Sequence, residues 1–335
     1  MRSRTISRIS SVGLVQTMLP QVDFVYPKHI DRSSLDVLPN SPGVYIFRDA
    51  QQRPLYVGKS VNLRNRVLSH LRNPDEARML QLTQDIQHQC TAGEIGALLL
   101  EAKLIKQLQP SFNVLLRQQR SLCSLHITPP ENSSATPATP QFVLANQYDF
   151  ARSNHLYGLF SGKHAALTQY RQLIDEHQLC PAKSGLEKLV HGRACFAHQV
   201  GRCRGACVGL ESLTEHHLRL FAALHDLKLM VWPFEDAIGI VEQHEQWRQM
   251  HIVHLWCYLG SINLSAAGPT STWNYSLPQG LPQFDADTYK ILLKPLLSGN
   301  LQLETPPMHG ISTLSIKQAS RGRKPRTTPV PASKE

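Results

Sequence analysis

Long apolar runs, acidic side chains and internal repeats are all scarce in this chain of 335 residues. No stretch approaches the roughly 20 apolar residues that a membrane-crossing helix needs, so a helical membrane span is not expected. The N-terminus, MRSRTISRISSVGLVQTML, is basic and serine-rich. Its apolar part is weak and interrupted and it shows no small-residue cleavage site, which argues against secretion and for a cytoplasmic protein. Seven cysteines are an odd number, too few for a disulfide scaffold in a chain of this length. Asp and Glu total 25 against 35 Lys and Arg, a net charge of +10 and a pI near 9.4, which favours a polyanionic partner, nucleic acid or anionic membrane. The excess is uneven: residues 317–335, KQASRGRKPRTTPVPASKE, hold six Lys or Arg and one Glu. Such a run reads as a disordered basic tail that adds non-specific attraction to phosphate.

What the chain does have begins at SPGVYIF (41–47) and PLYVGKS (54–60), short alternating segments joined by the polar turn DAQQRP. The alternation and the short loop predict an antiparallel hairpin. A helix should follow, capped by Ser60 or Asn62, with Leu63, Val67 and Leu71 as its core stripe. Asn62, Arg66 and His70 form a second stripe that aims Arg66 and His70 the same way. A further helix is predicted over 93–109, stopped by Pro110, with Ala97, Leu98, Leu104, Ile105 and Leu108 on its apolar face and Glu101 in the middle of it. Residues 122–128 and 141–145 read as strands bracketing PPENSSATPATP. Helices are predicted near 164–177, over 213–229 and over 234–259, and the chain beyond about 262 is turn-rich.

Glu101 is the most revealing single residue. A carboxylate on an apolar helix face is costly unless it is paired, protonated or bound to a cation. Two partners suit it: Arg66, in a salt bridge, or a hard divalent ion, which takes only one or two protein carboxylates. Cutting a phosphodiester needs an activated water, stabilisation of charge on the phosphoryl oxygens and help for the leaving oxygen. Tyr56, with Lys59 three residues on, supplies a tyrosine whose phenolate a cation would favour, provided that the chain bends at Gly58. Gly58 would also let the backbone pass close to DNA. Arg66 can clamp phosphate. Taken singly, Tyr45 and Tyr56 are ordinary hairpin packing residues; their combination with Lys59, Arg66 and Glu101 is what points to catalysis. Four of the cysteines cluster, Cys180, Cys195, Cys203 and Cys207. Four thiolates suit an iron–sulfur cluster or structural Zn²⁺. Cys90, Cys123 and Cys257 read as ordinary buried residues.

GVY at 43–45, YVG at 56–58, then Lys59, Arg66, Glu101 and Asn113 resemble the GIY-YIG nuclease domain in order and spacing. SPGVYIF, YVGKSVNLRNRV, EIGALLLEAKLIKQLQPSFNVLLR and VGRCRGAC are similar to the N-terminal half of the UvrC repair excinucleases, and the absence of a second nuclease domain is most like the short members of that family. The resemblance implies an α/β (α+β) fold: a small antiparallel sheet flanked by helices (39–117) behind an extension (1–38). A cysteine-cluster region (118–209) follows, then a mostly helical partner-binding part (210–316) and the basic tail (317–335). It implies Tyr56 as general base tuned by Lys59, Tyr45 orienting water or phosphate, Arg66 on the scissile phosphate, Glu101 holding one Mg²⁺ or Mn²⁺, and Asn113 bracing the site. The cysteine cluster would hold [4Fe–4S], with Zn²⁺ the alternative. His70 stands where the family commonly has a tyrosine, and a plain surface histidine is the competing reading there. The implied activity is a 3′ incision near a lesion in double-stranded DNA bound by UvrB, with UvrA upstream and no 5′ incision. The rival readings are a UvrB-independent structure-specific nuclease and a non-catalytic DNA-binding protein.

Overall fold

Alternation of large side chains in the first hairpin sets the architecture of the N-terminal part. The computed structural model describes residues 27–113, 122–130, 136–190, 193–265, 268–269 and 284–307; residues 1–26 of the expected extension and the basic tail lie outside them. The rest of that extension joins the first domain: Ile30, Leu35 and Leu38, around α1 (Arg32–Asp36), are buried in the same core as Tyr45. β1 (Gly43–Arg48) is the central strand of a three-stranded antiparallel sheet, with β2 (Pro54–Ser60) on one side and β3 (Asp85–Cys90) on the other. Asp49 closes the hairpin turn by accepting from the N–H groups of Gln51 and Arg53. Tyr45 and Phe47 leave one face of β1, and Val44 and Ile46 leave the other, as a period of two dictates. The first pair packs against Leu63, Val67 and Leu71 of α2 (Leu63–Leu71). Asn62 caps that helix by accepting from the Asn65 N–H at 3.0 Å. After α3 (Ala77–Leu82) and β3, the second pair packs against Leu100 and Ile105 of α4 (Glu94–Leu108).

In the middle part, β4 (Cys123–His126), β5 (Gln141–Leu144) and β6 (Leu156–Phe160) form a sheet in the order β5-β4-β6. Against it pack α5 (Lys163–Glu176), which the sequence predicts, and α7 (Leu213–Ala223), which follows the short α6 (Phe196–Gln199). Leu125, Ile127, Tyr170, Leu173 and Leu220 share this core, so α7 belongs to the middle part and not to the region beyond 210.

The helix expected over 234–259 is absent and the region is a β-sheet. β7 (Ile238–His244), β8 (Trp247–His254), β9 (Cys257–Ser265), β10 (Gly268–Pro269) and β11 (Gln302–Glu304) form a five-stranded antiparallel sheet in the order β10-β9-β8-β7-β11. Ile238, Ile240, Val241, Ile252 and Val253 favour strands. Two-residue turns, closed by the pairs His244 with Trp247 and His254 with Cys257, split one apparent helix into hairpin arms. In the second turn Leu255 and Trp256 both take positive φ, 50° and 61°, the hand that matches strand twist. That turn drives the Trp256 ring into the core, 5.1 Å from the ring of Trp232 and 4.8 Å from that of Tyr289 on α8 (Ala286–Leu297), a helix missed in the turn-rich reading. No helix among the described residues is long and apolar enough to cross a membrane.

Trp256→Ala should therefore lower stability by about 3–5 kcal/mol, read as a shift in the urea unfolding midpoint. A shift within error would show that the turn does not anchor this core.

Candidate active site

Four of the residues singled out in the sequence meet on the α2 side of the sheet. Tyr45 is fully buried and pairs with Gly58 across the hairpin. A Cβ at Gly58 would sit 2.3 Å from the Tyr45 hydroxyl, so the glycine makes room for this phenol. That requirement lies within the fold and stands beside the expected one of backbone approach to DNA. The Tyr45 ring lies 6.2 Å from that of Tyr56 and 5.3 Å from that of His70. Its hydroxyl is 2.5 Å from His70 Nε2 and also bonds Arg66. His70 is buried, not a surface residue, and its Nδ1 meets the Glu76 carboxylate. With Nδ1–H given to Glu76, Nε2 accepts from the Tyr45 O–H and leaves the phenol oxygen to accept from Arg66. Burial, then the nearby Tyr56, pushes the Tyr45 hydroxyl well above its usual range, against the pull of Arg66. Burial lowers His70 despite Glu76.

Glu101 joins from α4. Its Oε1 accepts the Lys59 N–H at 3.1 Å, at the outer edge of β2. Among the described residues no lysine or arginine forms an ion pair with it, so the salt bridge to Arg66 is not formed. Burial raises its pKa, against the Lys59 N–H and the charges of Lys59 and Arg66. A half-buried carboxylate in that condition suits a hard cation. Asn113 sits further along the same edge: its Oδ1 accepts the Val57 N–H and its Nδ2 donates to the Val57 carbonyl, both at 2.8 Å.

Lys59 departs from expectation. β2 pairs with β1 in unbroken register through Gly58, without the bend, and Lys59 Nζ bonds Glu94 at 2.6 Å, on the side away from Tyr56. Tyr56 stays above its usual pKa, through burial first and Glu101 second, with Arg66 opposing. Glu76 and Glu94 were not singled out from the sequence. Each lies in the first turn of its helix, where acids favour the helix dipole, and that was the available signal.

The four cysteines converge in the middle part. Their Sγ atoms all lie within 4.8 Å of one another, with Cys180 and Cys195 at 3.9 Å, and all are free thiols. Burial pushes the Cys180 thiol up to about 11 and raises Cys195 as well. Burial acts the same way on Cys207, but hydrogen bonds from the Cys195 N–H and the Cys195 and Cys180 thiols outweigh it and lower that pKa. His216, held neutral by burial with its pKa pushed down to about 4, accepts the Cys180 N–H at 3.1 Å and fixes the loop. Cys90, Cys123 and Cys257 take no part in this cluster.

Three family profiles match the chain: the UvrC-like GIY-YIG domain over residues 41–114, the UvrC/Cho excinuclease middle domain over 122–226, and the excinuclease Cho C-terminal domain over 237–309. Excinuclease cho of Escherichia coli (strain K12) is 47% identical over 281 residues, spanning 84% of this chain and 90% of that protein. The UvrABC system protein C of Chlorobium phaeobacteroides is 31% identical over 204 residues, 57% of this chain and 30% of that one. Among solved structures, the magnesium-bound GIY-YIG N-terminal endonuclease domain of UvrC from Thermotoga maritima is 34% identical. It covers 24% of this chain and 93% of its own, with a TM-score of 0.23.

Because the folded pKa of His70 lies below its unfolded value of about 6.5, its neutral form contributes stability that is fully present above that pH and is lost as pH falls towards the folded value. Melting temperature should therefore drop as pH falls below about 6.5. The slope should be shallower in His70→Phe. An equal slope in the two proteins would contradict this reading of the site.

Proposed function

Because the chain belongs to the UvrC/Cho excinuclease family of GIY-YIG endonucleases, we propose that it makes the 3′ incision beside a lesion in double-stranded DNA presented by UvrB, after UvrA has acted, and makes no 5′ incision. The observation that carries the reading is the meeting of Tyr45, Tyr56, Arg66 and His70 beside the unpaired carboxylate of Glu101 at the edge of β2. One such constellation, the one found among the described residues, serves one cut.

Glu101 would hold one Mg²⁺ or Mn²⁺, which supplies positive charge against the phosphoryl oxygens. Tyr56 takes the proton of the attacking water once its phenolate is favoured, and Arg66 neutralises charge on the scissile phosphate. Burial keeps Tyr45 protonated and His70 fixes its hydroxyl, so Tyr45 can orient water or phosphate. Lys59 enters through its backbone N–H on Glu101, and its side chain braces α4 through Glu94. Asn113 holds the Val57 peptide beside Tyr56.

We assign the four-cysteine pocket to a metal centre. Sulfurs around one tetrahedral Zn²⁺ with bonds of ~2.3 Å stand ~3.8 Å apart, near the 3.9 Å between Cys180 and Cys195. The family resemblance favours [4Fe–4S]. Anaerobically purified protein should carry a broad absorbance at about 400 nm if the centre is iron–sulfur. Colourless protein that releases zinc on thiol modification identifies Zn²⁺ instead, and protein with neither metal refutes the assignment.

On a lesion-bearing duplex with UvrA and UvrB present, Glu101→Gln should cut at least about a hundredfold more slowly than the unaltered chain. Omitting UvrB should abolish cutting by the unaltered chain. Undiminished cutting without UvrB would replace this reading with a structure-specific nuclease that works alone.

A further inference from the structure

Helix α4 lacks a capping side chain of its own. Its N-cap is Gly93, in extended backbone that any residue can adopt, and no side chain of that residue reaches the first turn. The missing acceptor comes from β7, 147 residues further along the chain: Glu242 Oε1 accepts the Ile95 N–H at 2.9 Å and Oε2 accepts the Gly96 N–H at 2.6 Å. These are the N2 and N3 donors that an N-cap serine or aspartate would satisfy. Gln249 on β8 extends the grip by accepting the Ala92 N–H at 3.2 Å. His251, fully buried on β8, places Nε2 3.1 Å from Glu242 Oε2.

Two glycines permit this approach. A Cβ at Gly93 would lie 2.2 Å from Glu242 Oε1, and one at Gly96 would lie 2.3 Å from His251 Cε1. Farther along the helix, Leu99 is buried in the core of the C-terminal domain, and Lys106 Nζ pairs with Asp285 at 2.5 Å and Asp287 at 2.7 Å. Glu101 lies between these anchors, its carboxylate on β2. The helix is thus clamped at both ends by one domain while it presents its acid to another.

We propose that Glu242 is a positioning residue of the nuclease site: by capping α4 from the C-terminal domain, it fixes the helix that carries Glu101. The C-terminal domain is then a working part of the incision site. The inference rests on the reading of Glu101 as the cation's carboxylate.

The test is a Mn²⁺ titration of the full chain, following free ion by electron paramagnetic resonance, with circular dichroism as a check on folding. Glu101→Gln should lose the tight site; if it does not, the reading of Glu101 falls, whatever Glu242 does. Glu242→Ala, folded by circular dichroism, should need on the order of fivefold more Mn²⁺ for half-saturation, the effect of losing one good cap. Adding Gly93→Asp to Glu242→Gly, which also removes the Glu242 Cβ that would stand 2.9 Å from the new one, supplies an acceptor from the chain's own N-cap and should restore binding. Gly93→Asp alone should bind poorly, because its side chain collides with Glu242. Unchanged binding in folded Glu242→Ala would overturn the proposal. So would a double variant no better than Glu242→Ala, including the case in which neither folds.

Discussion

The hydrogen bond from the Lys59 backbone N–H to the Glu101 carboxylate joins a strand edge to a helix, and the candidate site is arranged around it. β2 is an edge strand, and an edge normally exposes a row of unpaired backbone groups. Here four groups of the row are taken. The Leu55 carbonyl takes the Phe112 N–H, both polar groups of Val57 take the Asn113 amide, and the Lys59 N–H takes Glu101. Sealing the edge with α4 and the residues that follow it brings a carboxylate to the ring of tyrosines and Arg66. The same burial raises the pKa of that carboxylate, and no Lys or Arg among the described residues forms an ion pair with it, which is the condition a divalent ion relieves.

The local elements of this site were legible because local rules govern them. Period-two alternation named the faces of β1, Ser60 or Asn62 marked the start of α2, with Asn62 the cap in the structure, and Pro110 marked the end of α4. Glu101 stood out because a carboxylate on an apolar stripe is anomalous in any fold. What the sequence could not show was which partner each charge takes. Lys59 and Tyr56 are three apart, but the strand continues straight through Gly58, so alternation sends their side chains to opposite faces and Lys59 finds Glu94. His70 was aimed with Arg66 by helical spacing, but its burial and its partner came from the turn at 74–76, which brings Glu76 beneath it. The strands over 238–265 were hidden by polar Glu242, Gln249 and His251. In a solvated hairpin these would face water, yet here Gln249 and His251 are buried and Glu242 is mostly covered, turned to α4 and the chain before it.

That last point connects the parts of the molecule. One side of α4 completes the nuclease sheet through Leu100 and Ile105, and another enters the C-terminal core through Leu99. A helix used on both sides has no solvated stripe to betray its orientation, and its capping residue is encoded far downstream. The middle part contributes a separate device, four thiols gathered between short loops and steadied by His216, whose order depends on local hydrogen bonds more than on a broad apolar core.

The account stands on Glu101 as the ligand of a divalent cation. Anomalous diffraction from crystals soaked in Mn²⁺ addresses that directly. One peak should lie at about 2.0–2.2 Å from a Glu101 carboxylate oxygen, on the side facing Tyr56 and Arg66, and should vanish in Glu101→Gln. A peak held instead by Glu76 or Glu94, with none beside Glu101, would contradict it.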